Sequence, residues 1–106
     1  NECWAEVRTL SGVLRAERVE RVQLLKVDCE GDELAVLMGI DAQDWPRIQQ
    51  ISLEVHDAAF RLSRVQGLLQ RQGFRVFTEQ QRSEWDDDCL LLVPQALKLF
   101  YVYALR

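Results

Sequence analysis

Apolar and polar positions change period along this chain, and the changes mark out alternating strands and helices. Residues 4–9 set Val7 between polar neighbours, the pattern of a short strand. Ser11 is a suitable N-cap for a short helix carrying Val13, Leu14 and Ala16. The run Val22-Gln23-Leu24-Leu25-Lys26-Val27 is mostly apolar and bounded by charges, which predicts a strand covered on both faces, as in a parallel sheet. After Gly31, residues 32–39 carry Leu34, Leu37 and Met38 at helical spacing. Asp32 and Glu33 fall in that helix's first turn, where acids favour the dipole, and Gly39 is placed to end it.

Further on, Ile51, Leu53 and Val55 alternate with Ser52, Glu54 and His56, the period of a second strand. Residues 58–72 put Leu62, Val65, Leu68 and Leu69 on one helical face, with Gly73 as the residue just past the helix end. Residues 74–78 read as a strand. Residues 97–105 are apolar on both alternating faces and read as a central strand. Between these last two lies a long connection containing Trp85-Asp86-Asp87-Asp88 and no helical pattern. Strands joined without a helix pair most easily antiparallel. The predicted order is β-α-β-α-β-α-β-β, an α/β layered domain whose sheet ends in an antiparallel pair.

Composition narrows the picture without changing it. The 106 residues are 48% hydrophobic and 28% charged, values of a folded domain with one modest core. A net charge of −4 with no Lys/Arg cluster argues against nucleic acid or an anionic membrane as the main partner. No apolar run approaches the roughly 20 residues of a membrane helix. Cys3, Cys29 and Cys89 are odd in number and lack C-x-x-C spacing, which fits reduced thiols in a cytoplasmic protein. The chain opens Asn1-Glu2-Cys3 without an initiating Met and reads as a fragment.

Open α/β sheets bind ligands beyond the carboxyl ends of their strands. Two predicted strands end in polar clusters, Asp28-Cys29-Glu30-Gly31 and Glu54-Val55-His56-Asp57, which converge on one rim if the strands are parallel. Imidazole exchanges protons near neutral pH, so His56, the single histidine, or a neighbouring carboxylate suits the removal of a proton from a hydroxyl. The bland alternative is structural: Asp28 and Glu30 cap the next helix while Glu54 and His56 bond to loop amides. A divalent-metal site from Asp28, Glu30, Glu54 and His56 is a further alternative, though no two of these ligands share a helix. Lys26, inside an apolar strand, needs a carboxylate partner or a wet strand end. The Trp85-Asp88 stretch is either a solvated loop or a lid. The five glycines form no G-x-G-x-x-G loop, so the residues alone propose no nucleotide cofactor.

The segment Leu24-Leu25-Lys26-Val27-Asp28-Cys29-Glu30-Gly31-Asp32-Glu33-Leu34-Ala35-Val36-Leu37-Met38-Gly39 resembles the L-L-K-I-D-V-E-G-x-E-x-x-V-L-x-G signature of FkbM-type methyltransferases. Downstream, Trp45-Pro46-Arg47-Ile48 and the strand ending Glu54-Val55-His56 resemble that family's next strand, which ends E-V-H. Upstream, Val7-Arg8-Thr9-Leu10 resembles the approach to its T-L-D-D-L helix, with Ser11-Gly12 in place of the acids. The final strand, Leu99-Phe100-Tyr101-Val102-Tyr103-Ala104, resembles the family's Y-A ending before a basic residue.

The resemblance implies the C-terminal half of a Rossmann-like class I methyltransferase fold, a single partial domain over residues 1–106. It implies S-adenosylmethionine as methyl donor and a hydroxyl of a small molecule or glycan as acceptor. Asp28 and Glu30 would face the methyl-transfer crevice, and Glu54 and His56 would border the acceptor. The cofactor's glycine-rich loop belongs to strands that precede this segment, so the isolated chain is expected to be inactive and to bind the cofactor weakly. An apolar edge at residues 22–27 is also expected to pair with a second chain unless residues 4–9 cover it. The competing functional classes are a non-catalytic interaction or dimerisation domain and a metal-assisted hydrolase.

Overall fold

A computed structural model describes residues 3–81 and 98–106. Its elements are α1 (Leu10–Ala16), β1 (Leu25–Val27), α2 (Glu33–Met38), a 3-10 turn (Trp45–Arg47), β2 (Gln50–His56), α3 (Arg61–Arg71), β3 (Arg75–Gln80) and β4 (Leu99–Leu105). The strands form one sheet in the order β1-β2-β4-β3. β1 and β2 are parallel, while β4 is antiparallel to both β2 and β3. Three strands therefore share one direction, and β4 runs against them from the middle. The expected antiparallel final pair and the central place of the last strand are both present. The expected mostly parallel sheet is instead a mixed one: because β4 separates β2 from β3, β1–β2 is the one parallel ladder among the described strands.

Alternation in β2 does what the pattern predicts. Ile51, Leu53 and Val55 are fully buried, and the register places Val102 beside Leu53 and Ala104 beside Ile51 on the same face. Val65 and Leu69 of α3 and Leu37 of α2 pack onto that face. Each such aliphatic side chain contributes about 1.5–3 kcal/mol when fully buried. α3 ends where glycine allows it: Gly73 has φ +91, and its N–H donates to the Gln70 carbonyl at 3.0 Å.

The opposite face of the sheet is open among the described residues. Lys26, Ser52, Tyr103 and Phe77 stand level across the four strands, and Tyr103 and Phe77 are 42% and 51% exposed. Two expectations fail on this arrangement, those for residues 22–27 and 4–9, and the choice left open for Lys26 falls to the wet alternative. The run 22–27 is covered on one face alone, pairs as a strand only at Leu25–Val27 with an isolated bridge from Val22 to Ile48, and leaves Leu24 exposed. Lys26 is exposed and forms no ion pair with another described residue; an edge strand open on one face is already a wet place for its ammonium. Residues 4–9 form no strand: Trp4 and Val7 are almost fully exposed, since Trp4, Ala5 and Val7 fall on both alternating faces and give neither enough to bury.

Ser11 is also reassigned. Thr9 is the N-cap of α1, its hydroxyl accepting from the Gly12 amide at 3.0 Å. Ser11 is buried inside the helix, where its hydroxyl accepts from the Asp41 amide at 2.7 Å and so ties α1 to the chain after α2. The Trp85-Asp88 stretch and Cys89 lie outside the described residues. No helix among the described residues is long and apolar enough to cross a membrane.

Arg106 closes the end of the sheet opposite the rim. Its guanidinium donates to three carbonyls, Ile48 at 2.8 Å, Gln72 at 2.9 Å and Trp45 at 2.6 Å. It also lies 4.0 Å from the Phe74 ring centre, and Phe74 meets Trp45 edge-on at 6.2 Å. One planar cation thus joins β4, the end of α3 and the entry to β2. Arg106→Ala is expected to lower the unfolding free energy by about 2 kcal/mol in urea titration. Arg106→Lys should recover less than half of that loss, because an ammonium cannot reproduce the three-way fork.

Candidate functional site

The rim is built by the parallel pair. Val27 of β1 lies beside Leu53 of β2, which sets Asp28 level with Glu54, and Glu54 in turn lies opposite Tyr101 of β4. His56 is the last residue of β2, opposite Leu99. Both polar clusters therefore leave the sheet at the same end, as parallel strands require. Asp28, Cys29 and Glu30 are exposed; Glu54 and His56 are half-buried.

The two loops that leave the rim are sharply turned. Glu30 and Gly31 have φ of +45 and +112, and Ala59 and Phe60 have φ of +53 and +60. Non-glycine residues in the left-handed region cost about 1 kcal/mol or more each. The loops approach one another at Arg61, whose Nη1 donates to the His56 carbonyl at 3.3 Å and sits 3.6 Å from where a Cβ on Gly31 would stand. The His56 carbonyl also accepts the Ala58 amide at 2.9 Å. The backbone of His56 is thus held from two directions. Nothing in the sequence flags Ala59, Phe60 or Arg61, since none is a residue type that signals a left-handed turn or a clamp.

The structural duties at this rim fall on other carboxylates than those expected. Glu33 is 1% exposed, and both of its carboxylate oxygens accept from the Gly31 amide at 3.1 Å. Asp57 accepts the Leu62 amide at 3.2 Å, anchoring the first turn of α3. Asp32, at the N-cap position of α2, makes no side-chain cap. The side chains of Asp28, Glu30, Glu54 and His56 form no hydrogen bond or ion pair with another described residue. The reading in which Asp28 and Glu30 cap the helix and Glu54 and His56 bind loop amides is therefore not what the structure shows. No three His, Cys, Asp or Glu among the described residues stand close enough to hold a metal ion. The rim gathers these groups at one end of the sheet without drawing them into a cage.

A family model for the methyltransferase FkbM domain matches residues 3–76, a stretch that contains both rim clusters. The chain belongs to the FkbM methyltransferase family. It is 42% identical over 79 residues to the 31-O-demethyl-FK506 methyltransferase FkbM of Streptomyces tacrolimicus, covering 74% of this chain and 30% of that protein. It is 34% identical over 91 residues to methyltransferase sdnD of Sordaria araneosa, covering 78% and 34% of the two chains. Methyltransferase 1 of Beauveria bassiana is 34% identical across 100% of this chain and 39% of its own length. The chain thus spans about a third of the length of these curated relatives. No solved structure is significantly similar to it.

In this FkbM-family chain the carboxylates divide into one set that shapes the rim and one set left available on it. Glu33→Ala should remove about 2 kcal/mol of stability, because it strips the Gly31 turn of its acceptor. Asp28→Asn and His56→Asn should each stay within about 0.5 kcal/mol of the parent chain. Chemical denaturation of the three variants separates the two sets.

Proposed function

We propose that this chain is the acceptor-side, C-terminal half of a Rossmann-like class I methyltransferase that transfers a methyl group from S-adenosylmethionine to a hydroxyl of a small molecule or glycan. The observation that carries the reading is that the side chains of Asp28, Glu30, Glu54 and His56 engage no other described residue, beside structural carboxylates that do have partners. Polar groups gathered on one rim with no structural work are what a site that meets a ligand requires. The name of the Streptomyces relative specifies an O-demethyl substrate, which favours an oxygen acceptor. The half-domain reading draws on the uncovered sheet face and on the third of the relatives' length that the chain spans.

Residues of this chain do not by themselves fit the cofactor's main seat. Gly12, Gly31, Gly39, Gly67 and Gly73 form no glycine-rich cradle, so that seat is assigned to strands outside this segment. When bound there, S-adenosylmethionine supplies an electrophilic methyl group. The chain's contribution is to the acceptor: the His56 ring or the Asp28 carboxylate takes the hydroxyl proton, and Glu54 and Glu30 orient the approach. His56 suits proton removal because its backbone is fixed while its ring engages no other described residue.

The β1 edge offers a second role for the isolated chain. Its three-residue strand has no described strand on its outer side, which supports pairing with another copy. Light scattering over a concentration series should then show a dimer, and a monomer throughout would remove this role.

In the longer parent enzyme, His56→Ala should lower kcat by about 100-fold or more with the melting temperature unchanged. Asp28→Asn should do the same if the carboxylate is the base, and less if it only positions. Full turnover by the double variant of these two residues would overturn the assignment. Turnover of an amine acceptor in preference to a hydroxyl would overturn the acceptor class.

A further inference from the structure

The face of the molecule formed by α2 and α3 carries a feature that the rim does not use. A groove between these helices contains two adjoining cavities of about 340 and 270 Å³. Both share Leu34, Met38 and Arg64 as walls, so they adjoin one another along the helix pair. Leu34 and Leu68 are half-buried along its floor, and Met38 is 70% exposed beside them. A thioether this exposed, next to two leucines, is an adaptable apolar surface.

Charge along the groove has one sign. Arg61, Arg64 and Arg71 line it, all from α3, and α3 contains no acid. With Leu68 they fall on one helical face, spaced three, four and three residues apart. The acid within α2, Glu33, is buried and engaged with the Gly31 amide. None of the three arginines forms an ion pair with another described residue. A chain with net charge −4 has therefore gathered three guanidinium groups around an apolar floor, none of them ion-paired with a described residue and one, Arg61, held by the His56 carbonyl.

We propose that this groove docks an acidic amphipathic helix of a partner protein. Charge complementarity supplies the argument: leucine-like side chains at helical spacing fill the floor over Leu34, Met38 and Leu68, while flanking carboxylates meet the arginines. The ten-residue interval from Arg61 to Arg71 spans about 15 Å, the length of a three-turn partner segment. A concave channel favours a helix over a flat lipid surface. The groove's upper end, at Gly31 and Ala59, opens next to the rim, so a docked partner would sit beside the candidate site without covering the sheet face.

The test uses the full chain and two labelled synthetic peptides, followed by fluorescence anisotropy. One carries leucines at i, i+4 and i+7 flanked by glutamates; its twin has lysines in place of the glutamates. The acidic peptide should bind at least about tenfold tighter than its twin, and the preference should shrink as salt rises. The R64E/R71E double variant should reverse the preference while keeping the circular dichroism spectrum of the parent chain, since both side chains are exposed. Equal affinity for the two peptides, or an unchanged preference in the double variant, would overturn the proposal. So would binding to vesicles of anionic lipid without binding to the acidic peptide, or closure of the groove by a second copy of the chain.

Discussion

The architecture depends on a strand from the end of the chain lying between two earlier ones. β4 pairs along its whole length with β2 and along nearly all of it with β3, so neither of those strands has its final neighbour until residues 99–105 arrive. Val102 and Ala104, fully buried, lie beside Leu53 and Ile51 and complete the apolar layer under α3. Contacts of such sequence separation close large loops before they return any energy, which makes the sheet cooperative and slow to assemble relative to its helices. The rim inherits this dependence. β1 is three residues long and pairs only with β2, so Asp28 is positioned by a strand that is itself positioned by β4. Arg106 reinforces the same point from the far end by joining three carbonyls from separate parts of the chain.

What was legible in the sequence was whatever rests on periodicity with enough members. The three-fold alternation of Ile51, Leu53 and Val55 specifies a face, and a slip of one residue would expose all of them. Four apolar positions and a closing Gly73 specify α3 in the same way. Residues 4–9 yield no strand, because Trp4, Ala5 and Val7 fall on both alternating faces and fix neither. The cap lies at Thr9 and not at Ser11 for a related reason: Ser is the better hydroxyl cap in isolation, and burial of Ser11 overrides that preference. Ser11 is needed inside, opposite the Asp41 amide.

The candidate site divides along a line that sequence cannot draw. Asp28, Glu30, Asp32 and Glu33 fall within six positions, and resemblance marks Asp28, Glu30 and Glu33 as one motif. Geometry separates them. The turn at Glu30 and Gly31 swings Glu33 inward to meet the Gly31 amide and leaves Asp28 and Glu30 outside. Asp57 stands beside His56 in the second cluster and is engaged by the first turn of α3 in the same manner. In the second cluster the acid nearest the following helix takes one of that helix's orphan amides, whereas in the first it is Glu33, inside α2, that turns back to the Gly31 amide while Asp32 at the N-cap makes no cap. The acids nearer the strand end accept no such amide.

The left-handed residues after His56 give this division its physical sense. Two consecutive non-glycine residues at positive φ, one of them a phenylalanine left 81% exposed, are a costly way to turn a chain. An ordinary turn with glycine would cost less but would leave the segment free to flex. Here the strained pair brings Arg61 back under the rim, where it binds the His56 carbonyl and approaches Gly31 of the other loop. Main-chain hydrogen bonds hold residues 56–58 while the imidazole itself engages nothing among the described residues. A proton acceptor needs that combination, a fixed Cα and an uncommitted ring, because a ring already hydrogen-bonded would have to give up one partner to take another. The strain is thus confined to the backbone, and the imidazole above it stays uncommitted among the described residues.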